Sequence, residues 1–338
     1  MVKEYNGKTA PEAGELVAIA PGVLWLRMPL PFALDHINLY LIEDGDAYAV
    51  IDTGVNDQAT IALWEAIIRD YSLQISRVIV THMHPDHIGN AGWLTEKFRV
   101  PLAMSFSEYF SARSIRAGAA GADNWVERQF MQRCNLPSEY IEKALKSRQG
   151  FATAVSPIPT SFERLVDEQT VVLGNSRWQV LVGQGHSPEH VCLYCAEKGL
   201  LLSGDHVLPE ISPNIGVYST EPEANPLARY LKTLEKFKLL PKDTLVLPSH
   251  RMPFYGLHDR ILALVSHHQE QLARLRDFCR MPRTLDQCLP QLFTRPLNGQ
   301  AMFFANAEGL AHLNYLVAAE EINRKLGDDG AYYYETCV

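Results

Sequence analysis

Thr81-His82-Met83-His84-Pro85-Asp86-His87 follows directly on the β-branched run Arg77-Val78-Ile79-Val80, and the reading of the whole chain turns on that junction. The run has the composition of a buried strand. In extended backbone His82 and His84 point to one side and Met83 to the other, so two imidazoles can share one metal. Pro85 stops the extended run and Asp86 is placed to cap a helix over Ile88 to Phe98. Asp86 and His87 therefore leave the turn in different directions and suit a second ion. Such a cluster points to hydrolytic metal chemistry rather than to a polar turn of satisfied core histidines.

Each divalent ion takes about four to six ligands, with one position kept open for water, so further donors are needed. Three segments offer them: Gly185-His186-Ser187-Pro188, Ser203-Gly204-Asp205-His206 and Leu247-Pro248-Ser249-His250. They follow the apolar strand-like runs Trp178 to Val182, Leu200 to Leu202 and Thr244 to Leu247. All three thus fall at strand ends, where open α/β architectures place their sites.

On these residues the chain resembles the metallo-β-lactamase superfamily. The resemblance rests on Ile51-Asp52-Thr53-Gly54, the HxHxDH run at 82–87, Gly185-His186-Ser187-Pro188-Glu189-His190, Ser203-Gly204-Asp205 and Pro248-Ser249-His250. It implies that His82, His84 and His186 bind a first metal and Asp86, His87 and His250 a second. Asp205 would bridge the two ions, and the Asp52 carboxylate would stand behind the ligands. A four-layer αββα sandwich with the ions in the groove between its sheets is implied as well; periodicity alone gives only α/β.

Possession of all seven ligands resembles the glyoxalase II and lactamase-beta-like branch. The implied activity is that of a dinuclear hydrolase in which a bridging hydroxide cleaves an ester, thioester or lactone, with Asp86 orienting the nucleophile or taking up its proton. A phosphodiesterase or endoribonuclease would use the same centre, a sulfur dioxygenase a single iron, and a ligand-sensing effector the fold without turnover. Zinc is the first expectation from the His-rich donor set, with manganese or iron as alternatives. Glu189 stands where this branch often has Gly, and either hydrogen-bonds a neighbour or narrows the entrance. His190 and His206 adjoin expected ligands and are read as supporting groups, since adjacent strand side chains face opposite ways.

Upstream, Leu16 to Arg27 and His36 to Asp52 read as strands with a hairpin at Asp44-Gly45-Asp46, and Thr60 to Tyr71 as an amphipathic helix. Residues 105–155 turn helical: Ser105 and Glu108 have the form of a capping box, and Pro137-Ser138 starts a helix to about Arg148. Phe106, Tyr109, Phe110 and Trp125 are read as packing before they are read as a pocket wall. Asn214 and Tyr218, on a Pro-rich loop after Asp205, are candidate substrate contacts.

Past His250 the spacing of Ile261, Leu264, Val265, His268, Leu272, Leu275 and Cys279 marks one face of a long helix. Helices over Thr284 to Phe293 and Asn306 to Leu326 and a terminal strand over Ala331 to Thr336 complete what resembles a winged-helix-like appendage. The expected division is a catalytic domain over 1–256 and a helical domain over 257–338. From Leu257 to Val338 there are 8 Lys and Arg against 10 Asp and Glu, and the whole chain carries a net charge of −8. A nucleic-acid module carries a basic face, so a small-molecule substrate is expected, and the appendage packs on the catalytic domain or joins two subunits in a homodimer. His267 and His268 are read as core or interface residues.

Six scattered Cys fit a reducing cytoplasm, and Cys192 and Cys195 fall in an apolar strand rather than in a redox motif. No stretch is long and apolar enough to span a bilayer, and Met1 to Gly14 has no apolar signal region. GxGxxG, Walker A and GxSxG are absent, so Ser187 and Ser249 are read as turn groups rather than nucleophiles.

Overall fold

The computed structural model describes all residues except 6, 8, 32–33, 119–123, 147–149, 295, 298 and 338. Two compact units emerge, neither continuous in sequence. Met1–Gly118, Gln149–Pro213 and Lys236–Arg260 make the first; Ala119–Arg148, Asn214–Glu235 and Ile261–Val338 make the second.

The first unit holds two seven-stranded sheets. One begins as an antiparallel meander, Leu16–Ala20, Val23–Pro29, His36–Asp44 and Ala47–Ile51, and then adds Ile75–Ile79, Leu102–Met104 and Glu163–Arg164 in parallel. The other repeats the plan with Thr170–Leu173, Ser176–Gly183, His190–Cys195 and Leu200–Gly204. Leu245–Pro248 joins it in parallel, and Phe254–Tyr255 and Lys3–Glu4 close the edge. Asp44 pairs with Ala47 across the expected hairpin, whose Gly45 takes a positive φ of 69°, a conformation glycine adopts without Cβ strain.

Strand alternation explains how two cores share one sheet. Ile79 joins Trp25, Tyr40, Trp178, Leu193, Leu202 and Leu247 in the apolar layer between the sheets. Its neighbours Val78 and Val80 face the other way and pack with Trp64, Ile67, Leu94 and Tyr109 from helices. Both faces of the motif strand are therefore buried, which holds the turn that follows it.

That turn differs from expectation. The helix over Ile88 to Phe98 is two pieces, Pro85–Ile88 and Ala91–Phe98, with His84 at the N-cap and Asp86 inside the first turn. Gly89 and Asn90 account for the break. The Asn90 amide donates to the carbonyls of Thr53, Gly54 and Val55, and a Cβ on Gly89 would stand 2.3 Å from the Gly54 oxygen. The break docks the metal-motif turn onto the Asp52-Thr53-Gly54 loop.

The expected capping box at Ser105 and Glu108 does not form. The helix Phe106–Ala117 has no side-chain bond at its N-cap. The Ser105 hydroxyl donates instead to the Glu189 carbonyl at 2.7 Å, and the Glu108 carboxylate leaves its own helix altogether. The fully buried carboxylate needs donors of its own and takes the amides of two other loops, while an exposed helix end can turn to water.

The second unit, by itself, contains Trp125–Arg133, Ser138–Lys146, Leu285–Leu292, Gly299–Ala318 and most of Leu257–Phe278. Arg148, the expected end of the second of these, lies outside the described residues. The helix expected to run to Leu326 stops at Ala318, because Glu320 turns left-handed at φ 58° and Ile322–Leu326 pairs antiparallel with Tyr332–Thr336. Nor do the compact units part at residue 256. Leu257–Phe278 is one unbroken helix, and the three segments of the second unit are tied by Asn135 to Asp286 at 2.9 Å and by the Asn314 amide to the Pro222 and Ala224 carbonyls. Among the described residues no helix is long and apolar enough to cross a membrane.

Candidate metal centre

Seven side chains from loops that follow strands of both sheets converge in the first unit. His82 Nε2 lies 2.8 Å from His84 Nδ1 and 3.2 Å from His186 Nε2. Asp86 Oδ2 lies 3.6 Å from His87 Nε2 and 3.4 Å from His250 Nε2. Asp205 stands between these groups, with Oδ2 3.5 Å from His186 and 3.6 Å from His87, and Oδ1 3.4 Å from His250. Ligand atoms within 4.8 Å of one another define three sets: His82, His84 and His186; His82, His87 and Asp205; Asp86, His87 and His250.

These spacings suit a cation. Two donors each about 2.1 Å from a tetrahedral ion sit about 3.4 Å apart. His87 Nε2, His250 Nε2 and Asp205 Oδ1 are buried and make no hydrogen bond. An orphaned buried polar atom is costly, and three aimed into one space have a common remedy in a shared metal.

Electrostatics divides the cluster in two. Burial, with its histidine neighbours, lowers His82 well below the ordinary imidazole range, and burial with His186 takes His84 to about 3. These are neutral donors. Burial works against charge on His250 and Asp86 too, yet Asp205 and Asp86 push His250 up to about 10, while His87 and His250 hold Asp86 down to about 2. His87 is raised likewise, against burial, by Asp86, Asp52 and Asp205.

Behind the ligands, further contacts fix which nitrogen faces inward. Asp52 Oδ1 accepts from the Thr81 amide, and Oδ2 accepts from the Thr81 hydroxyl and from His87 Nδ1, each at 2.8 Å. The His36 carbonyl accepts from His250 Nδ1 at 3.0 Å. Both bonds leave Nε2 for a metal. His190 Nε2 accepts from the Asp205 amide at 3.0 Å, while His206 packs on Gly183 and Phe237 and takes no part in the three sets.

Asn214 and Tyr218 belong to the second unit and engage each other there. The Asn214 amide donates to Phe304 O at 3.2 Å and Glu308 Oε2 at 3.1 Å, and the Tyr218 hydroxyl donates to Asn214 Oδ1 at 3.4 Å. The structure does not place them in the three sets.

Glu108 was not singled out for the site by its sequence pattern. Fully buried, it accepts from the Met83 amide through Oε2 at 2.9 Å and from the Glu189 amide through Oε1 at 2.8 Å. Burial pushes its carboxyl up to about 7 against those donors. A signal was available: Glu108 falls on the buried helix face with Tyr109 and Ala112, where an acidic side chain needs a partner. Glu189 turns out to hydrogen-bond a neighbour, accepting from the Ser107 amide at 2.8 Å.

Comparison with known proteins follows the same lines. Residues 33–250 match the family model described as metallo-beta-lactamase superfamily, and residues 272–337 match one described as metallo-beta-lactamase-like, C-terminal domain. The chain is similar to a beta-lactamase domain protein from Burkholderia ambifaria, at 40% identity and a TM-score of 0.92, over 99% of this chain and 98% of that one. A metallo-beta-lactamase family protein from Thermus thermophilus is 28% identical with a TM-score of 0.80, over 95% and 100%. The probable metallo-hydrolase YqjP of Bacillus subtilis (strain 168) is 28% identical over 92% of this chain and 97% of its own length.

Proposed function

The chain belongs to the metallo-beta-lactamase superfamily, and on that footing we propose that it is a dinuclear metal-dependent hydrolase acting on an ester, thioester or lactone of a small molecule. The observation that carries the reading is the overlap of the three ligand sets, in which His82, His87 and Asp205 join the His82, His84 and His186 set to the Asp86, His87 and His250 set. A single-metal site needs no such overlap, and Asp205 gives it a bridging carboxylate.

Two divalent ions there, zinc by the donor set, would polarise a substrate carbonyl and lower the pKa of water toward about 7. The chain's own groups supply the orientation. His82 and His84 offer neutral nitrogens, and the first set, made of imidazoles alone, adds no negative charge. Asp86, a carboxylate of the second set beside His87 and His250, is placed to orient an attacking water by accepting its hydrogen bond. Asp205 neutralises charge on both sides of the centre. The acidic balance of the chain, a net −8, weighs against polyanionic substrates.

The test is a panel of acyl thioesters, lactones, aryl esters, β-lactams and bis-p-nitrophenyl phosphate with zinc-, manganese- and iron-loaded protein. Metal-dependent turnover of an acyl compound is expected. Turnover of the phosphodiester alone would replace the acyl reading, and iron-dependent oxygen consumption with one ion per chain would replace the hydrolytic one.

A further inference from the structure

We propose that Glu108 is a positioning residue for the first set of histidines: its carboxylate clamps the turn carrying His82 and His84 to the turn carrying His186. The inference rests on the metal-centre reading above and deepens it.

The two turns come from different sheets, and His82 and His186 are 104 residues apart in sequence. The Val191 amide joins the strand ends by donating to the Thr81 carbonyl at 2.8 Å, and His82 Nε2 and His186 Nε2 lie 3.2 Å apart to face one ion. Glu108 ties the turns themselves. One oxygen takes the amide of Met83, which lies between His82 and His84; the other takes the amide of Glu189, three residues after His186. A carboxylate has two acceptor oxygens and no donor, and two backbone N–H groups are the partners that arrangement requires.

The clamp is itself fixed from the far side. The Ser105 hydroxyl donates to the Glu189 carbonyl and the Ser107 amide to the Glu189 carboxylate, so the start of the helix and the His186 turn are stitched at three points. Buried Tyr109 anchors the same helix by stacking on Phe162 at 3.9 Å between ring centroids. The second set has no share in this device, since His87 and His250 are oriented by Asp52 and the His36 carbonyl. Loss of the clamp should therefore weaken one ion and spare the other.

The experiment is stepwise cobalt(II) loading, read by visible absorption and by competition with a chelator, on wild type, Glu108→Gln, Glu108→Asp and Glu189→Ala. Gln keeps one acceptor and turns an NH2 group toward the other amide; Asp is too short to reach both. Each should lower the affinity of one ion about 10- to 100-fold and change its absorption bands, with the other ion unchanged. Glu189→Ala keeps the clamped amide but loses the stitch to the Ser107 amide, so it should weaken the same ion by less than either Glu108 variant and spare the other.

Wild-type affinity for both ions in Glu108→Gln and Glu108→Asp would overturn the proposal, as would equal weakening of both ions alongside a fall in Tm. Amide exchange in metal-free wild type gives a reading without any variant, since Met83 and Glu189 N–H must both be protected. Unprotected amides overturn the clamp alone, whereas wild-type protein that takes up no ion overturns the metal centre and the clamp with it.

Discussion

Asp52 Oδ2 meets His87 Nδ1 at 2.8 Å while the Asp52 backbone holds a left-handed φ of 61°. A non-glycine residue in that region stores about 1–3 kcal/mol of strain and persists where the surroundings over-determine it. Here the surroundings are the Thr81 amide and hydroxyl, which hold the carboxylate in place for the imidazole. Asp52→Asn keeps the size but must turn an NH2 donor toward one of these partners. Chelator competition should show one ion bound about 10- to 100-fold more weakly; an unchanged affinity would mean that His87 needs no support.

Purified protein should hold about two ions per chain, the number a bridged dinuclear site takes. His84→Ala removes a donor from the first set alone and should leave about one ion per chain. Asp205→Asn touches donors of both sets and should weaken both. Elemental analysis decides it, and two full-strength ions in Asp205→Asn would rule out a bridging role.

Gly89→Ala should destabilise the fold and loosen the metal turn. An added Cβ would lie 2.3 Å from Gly54 O, 2.5 Å from Pro85 O and 2.6 Å from Asn56 N, all backbone atoms that cannot rotate away. Overpacking of this kind costs about 1–3 kcal/mol or more. Gly199→Ala is the control: nothing lies within 4 Å and only its φ of 61° is strained, for about 1 kcal/mol. Thermal melts should rank Gly89→Ala below Gly199→Ala, and equal melts would show that the turn yields.

The second unit should lose stability in acid. His312 Nδ1 donates to the Glu308 carbonyl at 2.8 Å, so its Nε2 accepts from His268 Nδ1 at 3.1 Å; both rings are buried and neutral. Burial takes His268 to about 3 and His312 to about 4. Folded values below the ordinary 6.5 mean that the unfolded chain binds more protons between them, so this contribution is full above about 6.5 and is lost as pH falls. At pH 5 each ring would account for about 2 kcal/mol. His268→Gln keeps a donor for His312 but cannot titrate, so melts at pH 7 and pH 5 should differ less than in wild type.

The cluster was legible because its chemistry is local or marked. His82, His84, Asp86 and His87 are neighbours in sequence, and His186, Asp205 and His250 each close an apolar run. Glu108 was misread because Ser-x-x-Glu is also a local helix signal, while its true partners lie 25 and 81 residues away. The strand Ile322–Leu326 was hidden for a similar reason: its pattern fits a helix until Glu320 turns the chain and the partner strand is in view. The break at Gly89 depends on how closely a loop 35 positions upstream approaches, which no periodicity records.

Because each compact unit is assembled from three separated stretches of chain, neither can be exported as a cassette. Cutting after residue 256 would strand 124–146 and 214–235 without the helices they are tied to, exposing apolar surface that invites aggregation. Exchange of the second unit between homologues should therefore succeed only when all three of its stretches travel together.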